Sequence, residues 1–182
     1  MDYLNWTTEG IADVTPEEFY GLIDRNREHI AKTFPGTLAG CKDFEATVAF
    51  FIQAAENEKK GTYYYFYLRD IATQNLMDYL VIKNIDLHIG KCELGYFIDK
   101  DFEGRGITTK LVANTLAFCF GTLMMNKIYI CTSTINKASQ NVALKNGFMQ
   151  ECILRQEFKN GQGLLEDVVY FGLLKKDYNN GN

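Results

Sequence analysis

Between Cys92 and Thr132 the chain reads as strand, glycine-bearing loop, long helix and strand, and no other stretch restricts the possible folds as much. Cys92–Ile98 (CELGYFI) is a short apolar run with strand character. Downstream, Val112, Leu116, Cys119, Phe120 and Leu123 recur at helical spacing, while Lys110, Asn114 and Ala117 fall on another face; the spacing predicts a helix from about Thr108 to Thr122. Lys127–Thr132 is short and rich in β-formers. Two strands joined through a helix pair in parallel. The loop DFEGRGITTKL (Asp101–Leu111) therefore lies at the carboxyl end of the first strand.

The flanking segments carry their own signals. Thr15-Pro16-Glu17-Glu18 offers an N-cap, proline at the first helical position and acids against the helix dipole, which predicts a helix to about Ile30. A second helix runs from Asp43 to about Asn57, with Phe44, Val48, Phe51, Ile52 and Ala55 as its stripe. Thr62–Leu68, dense in tyrosine and phenylalanine, suits a strand, as does the stretch from Asn75-Leu76 to Asp86. Ser139–Asn146 reads as a short helix closed by Gly147. Two last strands, about Cys152–Phe158 and Val168–Leu174, flank the turn signal Lys159-Asn160-Gly161. The expected class is α/β in the α+β sense: a mixed sheet with helices on its faces. With 182 residues, 47% of them hydrophobic, and no repeat or linker, one domain over residues 1–182 is expected.

Composition excludes several functions. A formal charge of −4 without runs of like charge argues against a dedicated nucleic-acid surface. No stretch reaches the roughly 18 apolar residues of a membrane span, and the opening MDYLNWTTEG lacks the pattern of a secretory leader, so a soluble, membrane-free protein is expected. Cys41, Cys92, Cys119, Cys131 and Cys152 are odd in number and show no CxxC spacing, as befits free thiols in a reducing compartment; the cytoplasm is expected. Only His29 and His88 accompany them, so no metal site is expected.

The loop has a physical use. A helix N-terminus presents unpartnered N–H groups and partial positive charge, which together hold an anion. Gly104 and Gly106 allow positive φ and close approach, so amides from about Arg105 to Thr109 can face one concavity, with the Arg105 guanidinium as an added charge. Glycine pairs also simply make turns. Neither GxxxxGK[ST] nor a complete Rossmann fingerprint is present.

Two separated segments, CELGYFIDKDFEGRGITTKLV and NKASQNVALKNGFMQECILRQEF, resemble the GNAT superfamily of acyl-CoA-dependent N-acetyltransferases, and within it the RimJ/RimL type that acetylates protein N-termini. The likeness covers the C-terminal half. It implies a mixed, mostly antiparallel twisted sheet flanked by helices, with acetyl-CoA in a cleft between two splayed parallel central strands. The family loop [QR]xxGx[GA] falls on Glu103, Gly104, Arg105, Gly106, Ile107 and Thr108, and with Thr109 its amides are implied to hold the pyrophosphate of coenzyme A. Glu103 and Thr108 depart from that pattern. Tyr96, Phe97 and Ile98 match the strand that pairs with the pantetheine arm, Asn136 a pantetheine contact and Lys145 a phosphate contact. The resemblance further implies Glu157 as base and Ser139 as the group that protonates the departing thiolate; the tyrosine that many relatives use as acid falls on Ala143.

Acetyl transfer needs a neutral amine, and an α-amine (pKa about 7.7–8.0) requires less help than a lysine (about 10.4). An N-terminal protein amine or a small amine is the expected acceptor, and the resemblance implies a homodimer. Two other functions stay open: a silent acyl-CoA-binding module, which Glu103 and the lost tyrosine favour, and an antibiotic or polyamine acetyltransferase, which requires an acidic cleft. Structural alternatives stand beside the catalytic ones. Ser139 also reads as a helix N-cap, Glu157 as an exposed strand residue, Asn136 as a turn residue, and the TYYYFYL tyrosines as sheet core and sheet face.

Overall fold

The computed structural model describes residues 6–180; residues 1–5, the first half of the segment read for a leader, and residues 181–182 lie outside it. Seven strands form one sheet: β1 (Trp6–Glu9), β2 (Tyr64–Asp70), β3 (Leu76–Asp86), β4 (Lys91–Ile98), β5 (Lys127–Ser133), β6 (Met149–Lys159) and β7 (Leu165–Leu174). Their spatial order is β1-β2-β3-β4-β5-β7-β6, and every pairing is antiparallel except β4 with β5. The helices are α1 (Pro16–Ile30), α2 (Pro35–Gly40), α3 (Phe44–Lys59), α4 (Ile107–Ala117), α5 (Lys137–Lys145) and α6 (Lys175–Asn180). The mixed, mostly antiparallel architecture is the one expected.

Strand alternation divides the core in two. Cys92, Leu94, Ile128 and Ile130 point to the face covered by α4, where Ile107, Leu111, Val112 and Leu116 are buried. On the opposite face Tyr65, Tyr67, Tyr79 and Phe97 meet Phe19, Leu22 and Phe51 of α1 and α3, with the Phe19 ring 5.6 Å edge-on from Tyr67. The tyrosine-rich run is thus mainly core. Thr15 caps α1 in a reciprocal box with Glu18.

Element bounds shift where packing outweighs pattern. The long helix changes after Ala117 to a π turn over Phe118–Thr122, which buries Cys119 and Phe120. Both terminal strands extend further than their apolar runs. Helix α5 begins earlier than expected: its cap is Asn136, whose Oδ1 accepts from the Ser139 N–H at 3.1 Å, so Ser139 sits one turn inside and is not the cap. Short β1 and α2 carry too few apolar residues for periodicity to reveal. Among the described residues no helix is long and apolar enough to cross a membrane.

Candidate active site

The site begins where two strands part. β4 and β5 pair only through Lys91–Lys127, Cys92–Ile128 and Glu93–Tyr129. β4 then stays bonded to β3 as far as Ile98, and β5 stays bonded to β7 as far as Ser133. The Leu94–Ile98 edge of β4 therefore faces a wedge with its peptide groups unengaged by β5, as the expected splay requires.

At the mouth of the wedge, Gly104 and Gly106 adopt φ of +73° and +76°, a conformation that strains residues with a Cβ. A Cβ on either glycine would meet no atom within 4 Å, so both face open space. Gly106 is the N-cap of α4, without a side-chain cap. Among the described residues, the amides from Gly104 to Thr109 have no hydrogen-bond acceptor. A ring of free amides at a helix N-terminus is an anion cradle.

The departures from the family loop are accommodated differently. Thr108 turns its hydroxyl inward, donating at 2.7 Å to Oδ2 of Asp78 on β3. Asp78 is fully buried, its Oδ1 has no partner, and burial pushes its pKa well above the usual carboxylate range despite the Thr108 bond. Glu103 stays at the rim, its Oε1 3.4 Å from Nε2 of His29. Arg105 is turned away: its guanidinium donates to the Asp101 carbonyl at 2.8 Å and stacks on Phe102, leaving only its backbone toward the cradle. Helix α1 is pinned beside this loop. Arg25 pairs with Asp99 and donates to the Leu76 carbonyl, and Asn26 accepts from the Lys100 N–H at 3.0 Å.

Two cavities open from the wedge. The first, about 580 Å³, is lined by Tyr96, Phe97, Ile98, Gly104, Gly106, Ile107, Thr108, Thr109, Asn136, Ser139 and Lys145, with His29 and Lys32 from the α1 side. It gathers every expected cofactor contact except Arg105. The second, about 710 Å³, runs along the other sheet face between Tyr63, Tyr65 and Tyr79 on one wall and Tyr129, Leu154, Glu157 and Tyr170 on the other. Tyr96, Ser133, Asn136, Ser139, Glu166 and the Lys32–Phe34 segment line both. At this junction the Tyr96 phenol lies 3.0 Å from the Ser139 hydroxyl. Burial pushes the Tyr96 pKa up to about 12, against the lowering effect of Ser139.

Three carboxylates face the second cavity. Glu157 reaches it through a bulge in β6 between Leu154 and Phe158, where Gln156 takes φ of +52° and its N–H bonds Asp167. The bulge breaks strict alternation, so Leu154, Glu157 and Phe158 all line the cavity. Glu93, at the vertex of the wedge, is held by Lys83 at 3.1 Å and Asn84 at 2.6 Å. Glu166 is held below the usual carboxylate range by the side chains of Ser133 and Asn160, with Lys32 contributing. Among the described residues Glu157 has no ion-pair or side-chain hydrogen-bond partner. Glu93 and Glu166 escaped sequence reasoning because only the sheet order brings them to Glu157. No group of three or more His, Cys, Asp or Glu among the described residues is placed to hold a metal ion.

Residues 11–149 fit the model of the acetyltransferase (GNAT) domain. The chain belongs to the GNAT acetyltransferase family. A putative ribosomal N-acetyltransferase of Bacillus subtilis (strain 168) is 33% identical over 104 residues, which are 57% of this chain and 56% of that protein. The chain thus spans about half the length of the curated relatives it matches. Among solved structures, the ribosomal-protein-S5-alanine acetyltransferase of Vibrio fischeri superposes with a TM-score of 0.84 at 19% identity, over 98% of this chain and 97% of that one. A spermidine N-acetyltransferase chimera from Vibrio cholerae and hSSAT gives 0.77 at 19% identity, over 96% and 98%. At such identities the structures establish the fold, and GNAT acetyltransferases built on it include both protein and polyamine enzymes.

Proposed function

We propose that this protein transfers the acetyl group of acetyl-CoA to a single primary amine, the α-amine of a protein N-terminus. The observation that carries the reading is the meeting of two cavities at Tyr96 and Ser139, one with a free-amide cradle and the other with an unpaired carboxylate. Acetyl-CoA supplies an activated acyl group on a thiol leaving group. The open faces of Gly104 and Gly106 fit its pyrophosphate, Lys32 and Lys145 add positive charge nearby, and the free edge of β4 through Tyr96, Phe97 and Ile98 suits the amide-bearing pantetheine arm. Glu157 takes the proton of the attacking amine, and Ser139 serves the leaving sulfur.

Charge pairing supports a monoamine. A polyamine acceptor calls for several carboxylates without partners, but Lys83 neutralises Glu93 and the Asn160 side chain engages Glu166, leaving Glu157, among the three, as the carboxylate without a side-chain partner and suited to one ammonium. The reading carries with it the cytoplasm, where acetyl-CoA and free thiols coexist, and a homodimer, which light scattering checks. The decisive experiment measures coenzyme A release with three acceptors: a free N-terminal peptide, the same peptide N-blocked but bearing lysine, and spermidine. Release with the first alone is expected. Preference for spermidine overturns the acceptor assignment, and binding of acetyl-CoA without release to any amine in a wider screen would make the protein a silent acyl-CoA module.

A further inference from the structure

By the resemblance, the tyrosine that many GNAT enzymes use as acid falls on Ala143, a fully buried residue of α5. A phenol nevertheless reaches the same helix from the opposite side of the wedge. Tyr96 leaves β4 on the face toward α5, and its Oη lies 3.0 Å from Ser139 Oγ and 3.2 Å from the Ser139 carbonyl oxygen. Both residues line the junction of the two cavities, where a thioester bound in the first would meet an amine entering through the second.

The geometry points to Tyr96 as a positioning residue that aims and strengthens the Ser139 hydroxyl as a hydrogen-bond donor to the departing sulfur. This inference rests on the acetyl-transfer reading above. A serine hydroxyl has one proton and rotates to suit its surroundings. When the phenol donates to Ser139 Oγ, one of that oxygen's two lone pairs is engaged and its own proton is directed away from Tyr96, toward the cavity. Successive donors polarise one another, so the outward bond is stronger than that of an isolated serine. The alternative, in which the phenol donates to the carbonyl, would draw the serine proton back to Tyr96 and away from sulfur.

The atoms balance without a full transfer along the pair. The amine nitrogen attacks the thioester carbon, Glu157 accepts the amine proton, and the C–S bond breaks with its electron pair on sulfur. The resulting thiolate is stabilised by the Ser139 O–H and gains its proton from water. Burial, which keeps the phenol protonated far above neutral pH, keeps it a donor throughout.

The test uses the full chain and two single variants, Tyr96→Phe and Ser139→Ala, with their double. Tyr96→Phe keeps the ring and its packing; thermal unfolding checks that the fold is retained. The first readout needs no turnover: the pH at which the thiol of bound coenzyme A ionises, followed by thiolate ultraviolet absorbance. Wild type is expected to ionise that thiol at lower pH than either variant, with Tyr96→Phe adding nothing on the Ser139→Ala background. The second readout is the single-turnover rate with acetyl-CoA and with its selenoester analogue, whose selenolate leaves more readily. Tyr96→Phe is expected to slow acetyl-CoA about tenfold, the worth of one net hydrogen bond, and to leave the selenoester rate nearly unchanged. Equal slowing with both donors, a further loss on the Ser139→Ala background, or an unaltered thiol ionisation would each overturn the assignment. Failure of every amine acceptor would refute the acetyl-transfer reading instead, while the thiol ionisation still decides the role of Tyr96.

Discussion

Gly106→Ala separates what the cradle glycine does for the fold from what it does for the ligand. At φ +76° the substitution imposes a conformational penalty of about 1–2 kcal/mol, and because the new Cβ meets no atom within 4 Å there is no steric addition in the free protein. For a chain of this size that lowers the melting temperature by about 2–8 °C. Acetyl-CoA at about 100 times its dissociation constant stabilises the wild type by roughly 2.7 kcal/mol, a rise of about 5–11 °C. The Cβ of the variant projects into the concavity where the amides converge, so affinity should fall steeply. A hundredfold loss leaves about 0.4 kcal/mol at the same ligand concentration, a rise of only about 1–2 °C. Gly61→Ala is the matched control: φ is +68°, the position lines neither cavity, and its Cβ would sit 3.5 Å from the Tyr64 hydroxyl. It should lose similar stability yet keep the full ligand response. Differential scanning fluorimetry with and without acetyl-CoA reads both quantities, and a Gly106→Ala protein that retains the wild-type rise refutes the cradle.

Glu157→Gln should reduce single-turnover acetylation by about 10²–10⁴-fold with acetyl-CoA affinity unchanged; an unaltered rate removes Glu157 as the base. Glu103→Gln withdraws a negative charge from the phosphate side and should tighten coenzyme A by at most about 1 kcal/mol in calorimetry, the scale of a solvent-screened charge contact, whereas weaker binding would mean that the His29 contact organises the loop. Asp78→Asn tests the buried acid. Its folded pKa is raised, so above the ordinary carboxylate pKa of about 3.9 the unfolded chain loses this proton first, and wild-type stability falls as pH rises. The melting-temperature advantage of Asp78→Asn over wild type should therefore grow from about pH 4 towards neutrality, and a constant difference would show that Asp78 ionises in the folded state.

The strand–loop–helix–strand unit was legible because its apolar residues keep a clean period on either side of a glycine-bearing loop. Gly104 and Gly106 could be read as a cradle because the backbone supplies the chemistry there, and backbone needs depend little on remote neighbours. Glu157 was singled out only through resemblance: alternation makes it an ordinary exposed strand residue, and the bulge that turns it into the second cavity depends on pairing with β7. Arg105 misled for the reverse reason, since its guanidinium is held locally by the Asp101 backbone carbonyl and the Phe102 ring, a rotamer that spacing alone does not reveal. The meeting of Tyr96 with Ser139, 43 positions apart, and of Glu93 and Glu166 with Glu157 required the sheet order itself.

The three-pair seam between β4 and β5 also makes the molecule mechanically uneven. Each wall of the wedge is bonded strand to strand along its length, whereas among the described residues the two walls share ladder bonds only at the vertex; the Tyr96–Ser139 hydrogen bond bridges them within the cleft, and across the top Gly161 of the β6–β7 turn sits so close to the Ala31 carbonyl that any Cβ would collide with it. Deformation concentrates at the softest joint, so the width of the cleft is compliant while the contour of each wall is stiff. On the acetyl-transfer reading, acceptors that differ in girth would be admitted by flexing that seam, whereas those that differ in the pattern they present to Tyr79, Glu157 or Tyr170 would meet a surface that does not yield.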